Sequence, residues 1–445
     1  MKLKSVLIIG LFFAAGLFAV FYTDKKGNEE KEQEVYSREL LTFDPQAVDE
    51  LSIETEDGKV VCQKVGEDWK IVEPLPMDAH RGTVQGVLAN LERARLTRYL
   101  PLEEGFDAEM LKKYGLDAPH VTVSLRVQGS ILDTVLYGDA NPQGRYVYVK
   151  RASENRVGMV ELYRRTGVDK KFADLRHKLM LKFKKAQATN VRIENGQDVL
   201  EVAKMEDQWQ MKSPVETRAD EAEIDSLLRR LSIPVKAFVE DMPEDVEKYG
   251  LGKPDLRIDI ASAENEVHSL LIGARHDDGY YAKDVSRTPV FTIDATFVEQ
   301  LSTANFDLRY KNLVEFKRQE IDRVEFAYPD QSILCVRDGN VWLAVHQQKP
   351  ANKKELEVII FNVEKLKAEE FAALDGAGSL PNGLDAPRLR IRFWAAEEAV
   401  GDLTIGSEKG DLVFVRGSGN ERVSLVSKEM VDRLLPAAER IFAQQ

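Results

Sequence analysis

At 445 residues the chain has room for two to four full-sized domains, and an apolar fraction of 43% sets it among ordinary globular proteins. A formal charge of -13 argues against nucleic acid as a partner, because phosphate-backbone binding needs a concentrated Lys/Arg face, and against adhesion to anionic lipid heads. The two cysteines, Cys62 and Cys335, lie far apart without Cys-x-x-Cys spacing, which excludes a disulfide framework and a cysteine zinc site.

The first element is Ser5 to Tyr22, an uninterrupted apolar run without charge. As a helix it would be about 27 Å long, close to the hydrocarbon thickness of a bilayer. Lys2 and Lys4 precede it, as in a secretory signal. A cleaved signal, however, needs a small-x-small site after a shorter apolar core. Ala15-Gly16-Leu17 is a poor site, and the apolar sequence continues past it, so an uncleaved anchor is expected. No cysteine follows the run, which removes the lipoprotein alternative. A short segment before a first anchor usually stays inside, placing the bulk of the chain outside the cytoplasm, although Lys25 and Lys26 leave the positive-inside count nearly even. Residues 23–41, rich in Glu and Lys, read as a solvated tether.

Beyond the tether one unit is written three times. With Trp69, Trp209 and Trp342 as origins, a phenylalanine stands 26 residues earlier in each copy (Phe43, Phe183, Phe316). A strand-type residue stands 16 earlier (Ile53, Ile193, Phe326). A second ruler is the turn Tyr114-Gly115-Leu116-Asp117-Ala118-Pro119, which returns as Tyr249-Gly250-Leu251-Gly252-Lys253-Pro254 and as Asn382-Gly383-Leu384-Asp385-Ala386-Pro387. A further glycine follows each turn glycine by 23 residues: Gly138, Gly273 and Gly406. The repeat is about 135 residues, long enough for each copy to be a small domain.

Period and punctuation predict strands opening at Val48, at Val60–Val65 and at Trp69–Val72, with Pro74 and Pro214 as stops. A helix capped by Asp78 presents Val84, Val87, Leu88 and Leu91, and its counterpart behind a capping box of Asp220 and Glu223 presents Ile224, Leu227, Leu228 and Leu231. A short helix from Asp107 ends at Tyr114. Gly115 then takes the left-handed stop and Leu116 folds back onto Leu111, so the motif is explained as a Schellman turn without a ligand. Strands near Val121–Val127, Leu132–Tyr137, Tyr146–Lys150 and Val157–Leu162 come after the turn, then a closing helix. Asp174-Leu175-Arg176 and Asp307-Leu308-Arg309 read as joints between copies. In the third copy Pro350 to Glu357 is expected to lengthen the connection before the helix, and Gly376, Gly378 and Pro381 to remove the short helix. The fold class is thus α+β: an N-terminal transmembrane helix, then three tandem repeats of antiparallel sheet with packed helices. The boundaries are an anchor at 1–22, a tether at 23–41, and repeats at 42–181, 182–314 and 315–445, the last divergent.

Chemistry is hard to find. Among six histidines none is paired as His-x-x-x-His, and the densest group of possible ligands, His268, His276, Asp277 and Asp278, reads as a polar hairpin turn. Gly-x-Ser-x-Gly, a phosphate-cradling loop and a Rossmann fingerprint are absent; Gly417-Ser418-Gly419 reads as a flexible turn. The tryptophans are expected to fill cores, and Cys62 and Cys335, seven residues before theirs where copy two has Val202, to be small buried positions. No catalytic, cofactor-binding or metal residue is therefore assigned.

A single N-terminal anchor, Trp-x-x-x-x-Pro, Tyr-Gly-Leu-x-x-Pro followed by a Leu-x-Gly strand, and the Asp-Leu-Arg segments together resemble the bacterial "domain of unknown function 4340" proteins, over nearly the whole chain after residue 40. The resemblance implies a membrane-anchored extracytoplasmic companion of ABC-type transport systems of the gliding-motility kind, and it carries no catalytic residues. The expectation is a non-enzymatic, single-pass protein of the inner (cytoplasmic) membrane, with its bulk periplasmic. Its partners would be the membrane, through Ser5 to Tyr22, and ABC-transporter subunits or an envelope polymer, not nucleic acid. The alternatives are an extracytoplasmic hydrolase or a solute-binding protein with its site between repeats.

Overall fold

The computed structural model describes residues 39–100, 107–302, 304–372, 382–434 and 438–442. The expected anchor at Ser5 to Tyr22, and the stretch with Gly376, Gly378 and Pro381, lie outside them. Among the described residues no helix is long and apolar enough to cross a membrane. Two compact units are present, one running to Leu179 and the other from Met180. The first contains one nine-stranded antiparallel sheet and the second contains two.

In the first unit the strands are β1 (Val48–Thr55), β2 (Gly58–Val65), β3 (Asp68–Glu73), β4 (Met77–Asp78), β5 (Arg98–Tyr99), β6 (Val121–Val127), β7 (Ser130–Ala140), β8 (Tyr146–Arg151) and β9 (Val157–Glu161). The helices are α1 (Arg81–Glu92), α2 (Ala108–Lys113), α3 (Leu162–Val168) and α4 (Phe172–Leu175). The spatial order is β4-β3-β2-β1-β6-β7-β8-β9-β5, two meanders joined through β1 and β6. Because β4 and β5 occupy opposite edges, the segment between them must cross the sheet, and α1 is that crossing. Its Val84, Val87, Leu88 and Leu91 are buried against Leu51, Ile53, Cys62, Ile71, Val121 and Val123. Burial alternates along β6, as the two-residue period of a sheet with one covered face requires. The second unit repeats this order twice, each sheet with its own apolar cluster and crossing helix, Glu221–Leu231 and Lys353–Glu364.

The repeated turn is a Schellman stop. Gly115 has φ 67°, its N–H donates to Lys112 O (3.1 Å), and Leu116 N–H donates to Leu111 O (2.9 Å). The glycine 23 residues on is required at the same place. A Cβ on Gly138, Gly273 or Gly406 would stand 2.2, 2.3 or 2.0 Å from the carbonyl oxygen of Tyr114, Tyr249 or Asn382. The strand bulges there in all three copies, and the freed Asp139 N–H binds Tyr114 O at 2.9 Å, as Ser407 N–H binds Asn382 O at 2.8 Å. In copy three Asn382 also accepts from Leu384 N–H through its side chain (3.0 Å), a local bond that tyrosine cannot make.

Four expectations are corrected. The cap of α1 is His80, whose Nδ1 accepts from Thr83 N–H (3.2 Å); Asp78 instead belongs to β4 and pairs with Lys70. Pro350 does not lengthen the connection in copy three. Lys349–Pro350 forms the edge strand equivalent to β4, where an absent N–H costs nothing, and the helix begins at Lys353 behind the Asn352 cap. The Asp-Leu-Arg segments are not joints alone, for each closes its own copy through the backbone: Leu175 O accepts from His80 N–H (2.6 Å) and Leu308 O from Asp220 N–H (2.8 Å), while Arg309 also stacks over Phe371 of copy three (5.5 Å). Copy three makes the same bond without the motif, from Asn352 N–H to Ile441 O (2.7 Å). Gly417-Ser418-Gly419 is a tight crossing, since a Cβ on Gly417 would stand 1.9 Å from Leu313 O.

Candidate functional site

One concavity recurs at equivalent positions. In the first unit a groove of about 430 Å³ opens between α1 and β3, with Trp69 as its floor and Gln46, Lys64, Arg81, Gln85 and Leu88 around it. Copy three has a groove of about 300 Å³ with Trp342, Gln319, Arg337, Glu357 and Ile360 in the matching places. Copy two bridges the same two walls with an ion pair, Lys185 Nζ to Asp225 Oδ1 at 2.6 Å, supported by Arg229. The groove follows from the fold. A helix laid across a curled sheet leaves a trough where the Trp strand turns away, and the large indole fills its base. All three indoles are buried, and Lys64, Arg81 and Glu357 at the two open grooves hold local partners. Lys64 donates to Gln46 O (2.8 Å), Arg81 pairs with Glu67 (3.3 Å) and Glu357 with Lys353 (3.7 Å).

A second concavity of about 560 Å³ lies between copies two and three, inside the second unit, lined by Glu216, Thr217, Arg218, Tyr310, Gly419, Asn420, Arg422 and Val423. Arg218 forks onto Glu315 (2.6 and 3.3 Å) and stacks over the Tyr310 ring at 4.0 Å. The hydrogen bonds from Arg218, with the nearby positive charge, hold the Glu315 carboxyl below its usual range against the opposing effect of burial. Asn420 donates to Tyr310 O (2.9 Å), and Arg422 reaches back to Glu216 O (3.2 Å). Sequence reasoning missed this cleft because Arg218 and Arg422 stand 204 positions apart and neither belongs to a repeated motif.

The surface of the Trp strand differs among copies while its buried side is kept. In copy three Val341, Leu343 and Val345 are 56%, 41% and 45% exposed. The matching residues are Asp68, Lys70 and Val72 in copy one, and Gln208, Gln210 and Lys212 in copy two. Copy three alone has an apolar residue at all three of these outward positions.

The residues singled out for chemistry are dispersed. His268 and His276 lie at opposite ends of one strand, Val267–His276. His276 stacks on Tyr281 (4.6 Å) beside the turn at Asp277, while Asp278 pairs with Lys236 (2.6 Å). Among the described residues no group of three or more His, Cys, Asp or Glu is placed to hold a metal ion. Cys62 and Cys335 are buried free thiols in different units, each pushed up to about 12 by burial. One buried acid is fully engaged: Asp133 accepts from Arg151 Nε (2.6 Å), Ser153 Oγ (2.7 Å) and Thr134 N–H (2.7 Å). Burial raises its pKa, yet these bonds outweigh burial and leave it below the ordinary value.

Comparison with curated proteins and with solved structures returns no match. The family model described as "domain of unknown function" (DUF4340) matches twice, over residues 69–233 and 209–387. Each match opens on the tryptophan of one copy and runs into the next, and the second ends at Pro387, the proline of the third turn. Trp69, Trp209 and Trp342 and all three copies of the turn fall within these spans, which together cover more than half of the chain, and the chain belongs to the domain of unknown function 4340 family.

Proposed function

We propose that the chain is a non-enzymatic, single-pass protein of the inner (cytoplasmic) membrane, anchored through Ser5 to Tyr22 with its bulk extracytoplasmic. In this reading it serves as an accessory or scaffold component of an ABC-type transport system. Its three sheets act as rigid mounts for contact surfaces. The observation that carries the reading is the solvent side of the Trp342 strand in copy three, where a preserved core bears three apolar residues, Val341, Leu343 and Val345, in place of Asp68, Lys70 and Val72 in copy one and Gln208, Gln210 and Lys212 in copy two. A run of exposed apolar side chains along one strand suits a protein partner. Affinity purification of the full chain from detergent-solubilised membranes tests it. Transporter subunits are expected in the eluate, and recovery of an envelope polymer alone, or of nothing with the anchor intact, overturns the transporter reading. A second reading, a solute-binding role, is favoured by the cleft between copies two and three.

A further inference from the structure

Copy three leaves uncompensated the cations that the other copies occupy around the tryptophan groove. Arg337 follows Ile333 and Cys335 on the covered side of the strand Ser332–Asp338, and its guanidinium lies 6.0 Å from the centre of the Trp342 ring. Arg318, in the short turn Arg318–Glu320, lies over the Phe361 ring at 5.1 Å. Both arginines line the groove, and among the described residues neither guanidinium has an ion pair. Glu357, the acid on the groove wall, is held by Lys353 at 3.7 Å, and Glu364 takes the backbone N–H of Arg318 (3.1 Å) rather than its guanidinium. Elsewhere the equivalent positions are neutral or engaged. In copy one Pro45 stands at the place of Arg318, and Lys64, at the place of Arg337, donates to Gln46 O (2.8 Å). In copy two the matching Lys185 and Lys204 pair with Asp225 (2.6 Å) and Asp207 (3.7 Å).

A guanidinium stacked on an aromatic ring keeps its in-plane donors free, because the contact uses its face and the hydrogen bonds leave from its rim. At the floor a further donor lacks an acceptor: Trp342 is 2% exposed, and its buried Nε1–H has no hydrogen-bond partner among the described residues. Ile321 and Ile360 complete the lining with apolar surface. We infer that this groove of copy three binds a small organic acid, an ionised carboxylate on an apolar body, with the carboxylate on Arg318 and Arg337 and the body against Trp342 and Ile360. The fork of arginine meets a carboxylate in two parallel hydrogen bonds, and apolar walls with a few placed charges are the usual form of a small-ligand site. A volume of about 300 Å³ sets the ligand at the small end of that class. The inference goes beyond the transporter-contact reading, which concerns the opposite, solvent side of the Trp342 strand, and either can fail without the other.

The test uses the full chain in detergent at pH 7, titrated by calorimetry with phenylacetate and, separately, with phenethylammonium, a similar ring carrying the opposite charge. Saturable binding of phenylacetate at one site per chain is expected, weakened about tenfold or more by Arg337→Gln and by Arg318→Gln. Lys204→Gln, the same charge change at the equivalent place in copy two, should leave binding unaltered. Arg337→Lys keeps the charge but loses the fork and should weaken binding by a smaller factor, so the inference stays testable if a Gln variant folds poorly. Absence of saturable phenylacetate binding, equal binding of phenethylammonium, or binding equal to wild type in all three arginine variants overturns the inference.

Discussion

Single residues in this fold are constrained by close backbone approach more than by chemistry. Gly138 sits where the turn carbonyl of Tyr114 enters the bulge of β7, and a methyl there would collide with backbone at 2.2 Å. Gly138→Ala should therefore destabilise the first unit by about 1–3 kcal/mol, the usual cost of overpacking. Gly86 provides the opposite case. It lies inside α1 with open space beside its Cα, and Gly86→Ala should stabilise by about 0.5–1 kcal/mol. Urea unfolding of both variants measures the two signs. Asp133 sets a pH dependence whose sign follows from its lowered pKa. The unfolded carboxyl titrates at about 3.9, so its contribution is complete above that pH and is lost as pH falls through the lower folded value. Asp133→Asn should cost about 3 kcal/mol near neutrality, the low end for breaking a buried pair, because Arg151 keeps Glu154 at 2.8 Å. It should also flatten the loss of stability below about pH 4, which unfolding midpoints measured from neutral to acid pH would reveal.

Elements are where sequence and structure can be compared most closely. The crossing helices and the strands around Trp69, Trp209 and Trp342 were legible because each carries a clean period and a repeated offset. The turn was legible because a left-handed glycine followed by a folding-back leucine has one main use. Pro350 misled, since a proline reads as a break until the sheet edge that tolerates it is known. The Asp-Leu-Arg segments misled for a related reason: their work is done by backbone, His80 N–H to Leu175 O, and copy three makes the same bond with Ile441. The cleft at Arg218 and Arg422 left no trace in sequence, because its walls come from two copies. Alternation along the strand Val341–Ala344 separates surface from core. Leu343→Asp, on the exposed side, should change stability by no more than about 0.5 kcal/mol. Ala344→Asp, whose side chain would enter the core, should cost about 3 kcal/mol or more. Guanidinium unfolding of the pair separates the two sides of the strand.

At the scale of the whole molecule, the same nine-stranded sheet is built three times, with three separate cores, and the copies differ mainly in what they show to solvent. An architecture of this kind suits a protein whose role is to hold several surfaces, and the proposed function places the decisive one on copy three. The most direct measurement is photo-crosslinking in intact cells, with a photoreactive residue placed in turn at Leu343, at Lys70 and at Gln210, the matching outer-strand positions of the three copies. A partner surface confined to copy three predicts a discrete adduct with a transporter subunit from position 343 and none from positions 70 and 210. An absence of adducts from position 343, or equal adducts from all three, would contradict it.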